Sequence, residues 1–180
     1  MKKLICHGDS LTEGSDLERS ATWPSQVARR LNISVINSGI GGDTTGGLLS
    51  RFYPDVVDHH PDGVLIMGGT NDLWWDLDLK WIRAHIFTMT CQAEHHGIIP
   101  LVGLPPPIIA AKARRQDIAE PEGGYDLFVT HLNTLVSALA LAAGQNDVTC
   151  LDFYRPFIDA AGNPIEKYFL DDGLHPNETG

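Results

Sequence analysis

A rhythm of short, unalternating apolar runs separated by longer amphipathic stretches constrains this chain more than any other feature. The runs are Lys3–Cys6, Ile33–Asn37, Gly63–Met67, Ile98–Val102 and Asp147–Leu151. A strand with one face in water alternates apolar and polar residues, because its side chains point to opposite faces in turn. A strand covered on both faces has no such need, so these Val-, Ile- and Leu-rich runs read as parallel strands buried beneath helices. Between the third and fourth runs, Leu79–His96 places Ile82, Ile86, Met89 and Ala93 on one helical face, and Gly97 stops it. A second helix runs from about Asp126 to Ala143 with Phe128, Leu132, Leu135 and Leu139 on one face, followed by Gly144. Pro24 suits the first turn of a helix reaching Leu31. Thr44 or Thr45 can cap another that reaches Val57, although Gly46, Gly47 and Pro54 weaken it. Strands alternating with helices predict an α/β protein, a three-layer α/β/α sandwich on a parallel five-stranded sheet with right-handed crossovers.

A chain of 180 residues is sized for one domain, 1–180, with a single buried core. Its net charge of −10 argues against nucleic acid or an anionic membrane as partner, since both would repel it. The tightest basic cluster is Lys112, Arg114 and Arg115, which is no binding stripe. Cys6, Cys91 and Cys150 each lie in or beside apolar segments and read as free core thiols suited to a reducing compartment. No uninterrupted apolar run approaches the ~18 residues of a membrane span. The opening apolar stretch runs straight into a Gly-Asp-Ser turn and cannot be a signal peptide without destroying it. The expectation is a cytoplasmic protein without a membrane span.

In a parallel α/β sheet, ligand chemistry collects at the carboxyl ends of the strands. The polar, glycine-rich motifs of this chain lie at those ends. Gly8-Asp9-Ser10-Leu11 follows the first run, Gly41-Gly42-Asp43-Thr44 the second, and Gly68-Gly69-Thr70-Asn71-Asp72 the third; Asp172-Gly173-Leu174-His175-Pro176 lies near the far end. Each is weak alone. Ser10 by itself reads as a solvated turn serine, Asp172 and His175 as a loop pair or the remnant of a metal site. Gly41-Gly42 can be a tight turn, and Asn71-Asp72 a helix cap. Together they hold what acyl transfer requires. A serine hydroxyl needs a base to take its proton, and that base must be held in orientation. Residues three apart on a short turn can face each other, so Asp172 can fix His175 while the ring's other nitrogen points at Ser10. The oxyanion of a tetrahedral intermediate needs donors, and the loss of one costs about 10²–10³ in rate. The N–H of Ser10, the N–H of Gly42 and the side-chain amide of Asn71 are candidates. The glycines form neither a dinucleotide fingerprint nor a P-loop, and Thr12 breaks the G-x-S-x-G elbow of the α/β-hydrolases.

These four blocks, in this order and over nearly the whole chain, resemble the SGNH (GDSL-type) hydrolases, a family of esterases, lipases and thioesterases. Among its members the pattern is most similar to small arylesterases, thioesterase I and lysophospholipase L1-like enzymes. The resemblance implies Ser10 as nucleophile, Gly42 and Asn71 as oxyanion donors, His175 as base and Asp172 as its orienter. It also implies a flavodoxin-like fold and no metal or organic cofactor. Similar proteins continue past the His-Pro-Asn segment into a further helix, whereas this chain ends at Gly180. The expectation is either a truncated domain lacking its C-terminal helix, with His175 less firmly held, or a His loop supported in another way.

The function expected is hydrolysis of small carboxylic esters or thioesters through an acyl-enzyme. Carbohydrate O-acetyl esterase and lysophospholipase are alternatives, as is a silent ligand-binding module of the same fold. Activity should fall as pH drops through roughly 6.5, where a histidine base gains its proton. Trp74 and Trp75 directly follow Asn71-Asp72, so they either wall the substrate site or pack helix onto sheet; Leu104–Ile109 is a weaker candidate for the opposite wall. Pro105–Gly124 is either a flap beside the site or a surface excursion. His59-His60 and His95-His96 lack the spacing of metal ligands, and no metal is expected. Asp9, Glu13 and Asp43 read as turn and capping residues. Oligomeric state is not legible.

Overall fold

The computed structural model describes residues 1–116 and 119–180. Five strands, β1 (Lys3–Gly8), β2 (Ser34–Gly39), β3 (Gly63–Met67), β4 (Ile99–Leu104) and β5 (Thr149–Asp152), form one parallel sheet in the order β2-β1-β3-β4-β5. Each expected run is a strand, with ends displaced by at most two residues and those of Gly63–Met67 unchanged. The helices are α1 (Ser10–Glu13), α2 (Trp23–Leu31), α3 (Thr45–Asp55), α4 (Thr70–Trp74), α5 (Leu79–His95), α6 (Ala110–Ala113) and α7 (Gly124–Gln145). They cover the sheet on both sides, as the three-layer architecture requires. The 2-1-3-4-5 order is that of flavodoxin-like folds, and it reverses direction between β1 and β3. A crevice opens at such a reversal, because the segments leaving the two adjoining strands turn away to opposite faces.

The main core lies between the sheet and α3, α5 and α7. The predicted stripes supply it: Ile82, Ile86, Met89 and Ala93 of α5 and Phe128, Leu132, Leu135 and Leu139 of α7 are buried. They pack on Ile5, Val64, Ile66 and Val102 of the strands and on Leu48 and Phe52 of α3. At about 1.5–3 kcal/mol for each large apolar side chain removed from water, this layer dominates the stability of the fold. By length and average composition α7 could cross a bilayer, but one face of it is committed to this core. Thr44 caps α3 by accepting from the Gly47 N–H, and the helix ends at Asp55 rather than Val57, with Pro54 in its last turn. Of the three thiols, Cys6 is buried and Cys150 half-buried. Cys91 is exposed on α5, because it lies off that helix's apolar stripe, and is not the core thiol expected.

Candidate active site

The three loops leaving β1, β2 and β3, and the loop carrying His175, meet over the β1/β3 crevice. After β1 the chain turns at once into α1. Asp9 caps that helix by accepting from the Leu11 N–H at 3.0 Å, which leaves Ser10 as the first helical residue, half-exposed above the sheet. His175 Nε2 stands 2.9 Å from Ser10 Oγ, and His175 Nδ1 stands 2.6 Å from Asp172 Oδ2. With Nδ1 protonated, the ring donates to the carboxylate and its other nitrogen accepts from the serine hydroxyl. This is the order in which an imidazole can take a proton from a hydroxyl while a carboxylate fixes its orientation.

The Asp172-Gly-Leu-His turn is built by its own aspartate. Asp172 Oδ1 accepts from the N–H groups of Leu174 (2.8 Å) and His175 (3.0 Å), leaving Oδ2 for the ring. The loop is tied from outside as well. The His175 carbonyl accepts from Leu170 N–H at 2.8 Å, Pro176 bridges Phe169, and the Gly173 carbonyl accepts from Ile109 N–H at 2.7 Å. These ties come from within the described residues, and His175 is held against Ser10 by them. Burial disfavours the charged forms of both partners, but their mutual hydrogen bond outweighs it. The Asp172 carboxyl is thereby held below its ordinary range, and the His175 ring is raised above its usual 6.5.

Gly42 has φ of +77°, a conformation that costs a residue with a side chain, and a Cβ placed there would meet nothing within 4 Å. Gly41 brings this loop against Ser10, since a Cβ built on it would lie 3.9 Å from the serine Cβ. Asn71, in the first turn of α4, donates through Nδ2 to the Asp43 carbonyl at 2.9 Å and has a second amide hydrogen to offer. Among the described residues neither the Ser10 nor the Gly42 N–H has an acceptor. Ser10, Gly42, Asn71, Asp172 and His175 all line one cleft of about 510 Å³.

Trp74 and Trp75 line the same cleft but differ in character. Trp74 packs edge-on against Tyr125 and Phe128, so it joins α4 to α7 while showing part of itself to the cleft. Trp75 is 61% exposed at the rim. Pro106 and Ile108 form the facing wall, within the segment expected there. The stretch from Pro105 to Gly124 packs on the site through Ile109 and through Glu122 N–H, which donates to the Trp74 carbonyl at 2.8 Å; residues 117–118 lie outside those described. Leu174, also on the cleft, was not anticipated from sequence, nor was a narrow apolar slot of about 120 Å³ on the other side of Ser10, walled by Leu17, Trp23, Met67 and Phe153. These four walls come from three segments distant in sequence, with no common motif. Asp9 is wholly buried, its Oδ2 lacks a partner among the described residues, and burial pushes its carboxyl up to about 7. Glu13 accepts from Ser15 Oγ, a turn contact as expected. Asp43, by contrast, is not the cap of α3: Thr44 occupies that position, and Asp43 pairs with Arg51 at 2.7 Å. Among the described residues no group of three or more His, Cys, Asp or Glu side chains is arranged to hold a metal ion.

The chain is similar to known proteins over nearly its whole length. The chain is 43% identical over 184 residues to an arylesterase of Vibrio mimicus, covering 97% of this chain and 80% of that protein. An uncharacterized lipoprotein of Bacillus subtilis is 29% identical over 194 residues, covering 95% of this chain and 79% of that one. The crystal structure of a lipase/acylhydrolase from Enterococcus faecalis shares the fold, with a TM-score of 0.80 at 23% identity over 99% of this chain and 89% of that one. Residues 6–180 match the GDSL-like lipase/acylhydrolase family. The chain belongs to that family and is a hydrolase of ester bonds.

Proposed function

We propose that this protein hydrolyses small carboxylic esters and thioesters through a Ser10 acyl-enzyme, with Asp172 and His175 completing the triad. The observation that carries the reading is the unbroken hydrogen-bonded series from Ser10 through His175 to Asp172. As Ser10 Oγ attacks the substrate carbonyl carbon, His175 Nε2 takes the hydroxyl proton. The carbonyl π pair moves onto oxygen, where the Ser10 and Gly42 N–H groups and the Asn71 amide stabilise it. Collapse of that intermediate re-forms the carbonyl and breaks the bond to the alcohol or thiol, which takes the proton from His175. Water then repeats the sequence on the acyl-enzyme, releasing the acid and restoring Ser10. Donors already fixed in place need no reorganisation as charge develops, the chief source of catalysis in acyl transfer.

Trp75, Ile108 and Leu174 give the cleft apolar walls fit for an acyl or aryl group, and the Vibrio arylesterase supports aryl esters as one substrate class. A related protein named acetylxylan esterase, from Geobacillus stearothermophilus, keeps O-acetyl groups as a second class. The direct test is labelling by a fluorophosphonate. Wild type should take one equivalent and lose activity, while a folded Ser10→Ala should take none and hydrolyse at background rate. A folded wild type that takes no label would overturn the reading. Comparing p-nitrophenyl acetate with longer acyl esters then ranks acyl length.

A further inference from the structure

Arg51 lies on α3, away from the Ser10–His175 contact, yet its guanidinium ties together the ends of β1 and β2 and the Asp43 carboxylate. Its Nη2 donates to the Gly8 carbonyl at the end of β1 at 2.9 Å, and its Nη1 donates to the Ser38 carbonyl at the end of β2 at 3.0 Å. Its Nε donates to Asp43 Oδ2 at 2.7 Å, and Nη1 also reaches Asp55 Oδ2 at 2.6 Å, one turn along the same helix. The side chains of Arg51 and Asp43 are only 15% and 13% exposed. Planar guanidinium is suited to this, because its donors point in fixed directions and can hold several acceptors in one geometry.

Asp43 is the node. It directly follows Gly42, its carboxylate is held by Arg51, and its carbonyl accepts from Asn71 Nδ2. Both candidate donors outside the serine loop therefore meet at one residue, whose position Arg51 fixes relative to β1 and β2. Thr45, two residues on, is held in parallel by Asp72, which accepts from its N–H at 2.8 Å and its hydroxyl at 2.5 Å. We infer that Arg51, acting through Asp43, is a positioning residue for the oxyanion hole: it sets where the Gly42 N–H and the Asn71 amide stand relative to Ser10. This rests on the acyl-enzyme reading above. The physical reason is distance sensitivity, since misplacing a catalytic group by about 1 Å can cost on the order of 10²-fold in rate. Gly42 itself, with positive φ and no side chain, makes no side-chain packing contact that would fix its N–H.

The test counts active sites, so that loss of folded protein is not mistaken for loss of catalysis. Wild type, Arg51→Ala, Arg51→Lys and Asp43→Asn are labelled to completion with a fluorophosphonate, and kcat for p-nitrophenyl acetate is expressed per labelled site. Arg51→Ala should lose about 10–10²-fold in kcat per site with KM within about threefold, because the lost contacts act on the transition state. Its affinity for a boronic acid, whose tetrahedral adduct uses the hole, should fall in parallel. Millimolar guanidinium should restore part of the rate, and Arg51→Lys should fall between. Asp43→Asn, which leaves Arg51 on Gly8 and Ser38, should lose rate in the same direction, and it carries the test if Arg51→Ala does not fold. Equal kcat per site in the folded variants and wild type would overturn the inference. Absence of label on folded wild type would instead overturn the acyl-enzyme reading itself.

Discussion

Asp172 does two jobs with two oxygens, and that division sets the behaviour expected of the site. Oδ1 shapes the turn through the Leu174 and His175 N–H groups, while Oδ2 holds the ring. Asp172→Asn has a single carbonyl oxygen; with that oxygen kept on the turn, the amide NH2 faces Nδ1 as a donor and favours the wrong tautomer. A loss of about 10³–10⁴-fold in kcat, with Tm little changed, is expected from steady-state kinetics and thermal denaturation. The pH profile follows from the same pair. His175 must be neutral to accept the Ser10 proton, and Asp172 raises the ring's pKa above 6.5 despite burial. The acid limb of kcat/KM should thus lie above 6.5, higher than a free histidine would give. A profile flat from pH 5 to 8 would count against His175 as the base.

At the scale of elements, the site depends on how two loops lean on each other. The His loop touches α6 through Gly173, which has φ of +67° and whose Cβ, if it had one, would lie 2.7 Å from both the Ile109 carbonyl and Lys112 Cβ. Gly173→Ala is both strained and crowded, so the loop must move away from α6 and carry His175 with it. We expect kcat/KM to drop by about 10-fold or more, against roughly 1–3 kcal/mol of lost stability by urea titration. A variant with unchanged kinetics would show that the His loop does not lean on α6. Such contacts explain what was legible in the chain. Ser10, Gly42 and Asn71 were visible because each sits in a compact motif just after a strand, and the Asp172/His175 pair because its two residues lie three apart on one turn. The stripes of α5 and α7 were visible because burial on one face imposes a period. The Ile109–Gly173 tie, the Leu174 wall and the Trp23–Phe153 slot were not, since they arise where segments distant in sequence meet and leave no local pattern. Cys91 shows the same limit, as membership of an apolar segment does not say which face of a helix a residue takes.

For the whole molecule, two buried titratable groups on the same stretch of β1 and its turn should govern stability against pH, in opposite senses. His7 is fully buried against Phe52, its Nε2 donates to the Leu48 carbonyl at 3.0 Å, and burial lowers its pKa from 6.5 to about 4. The unfolded chain therefore takes a proton on His7 before the folded one does. The stability from this group is present above 6.5 and is lost as pH falls toward 4. Asp9 is the converse, since burial raises its pKa from 3.8 to about 7; its contribution is complete below 3.8 and is lost as pH rises through 7. A tenfold change in proton affinity on folding corresponds to about 1.4 kcal/mol, which makes each group worth on the order of 3–4 kcal/mol. Across the shared window from pH 4 to 6.5 the two slopes therefore largely offset. Asp172 and Asp55, both held low, titrate below this window, while His175, raised, loses its contribution above it. Removing either buried group should expose the other. Urea midpoints measured between pH 4 and 7 should be nearly level for wild type, fall with acidification for Asp9→Asn, and rise with acidification for His7→Gln. Were Asp9→Asn to keep the wild-type slope, Asp9 would have to be ionised in the folded state at pH 5, with a solvated or paired Oδ2 in place of the buried, unpartnered one.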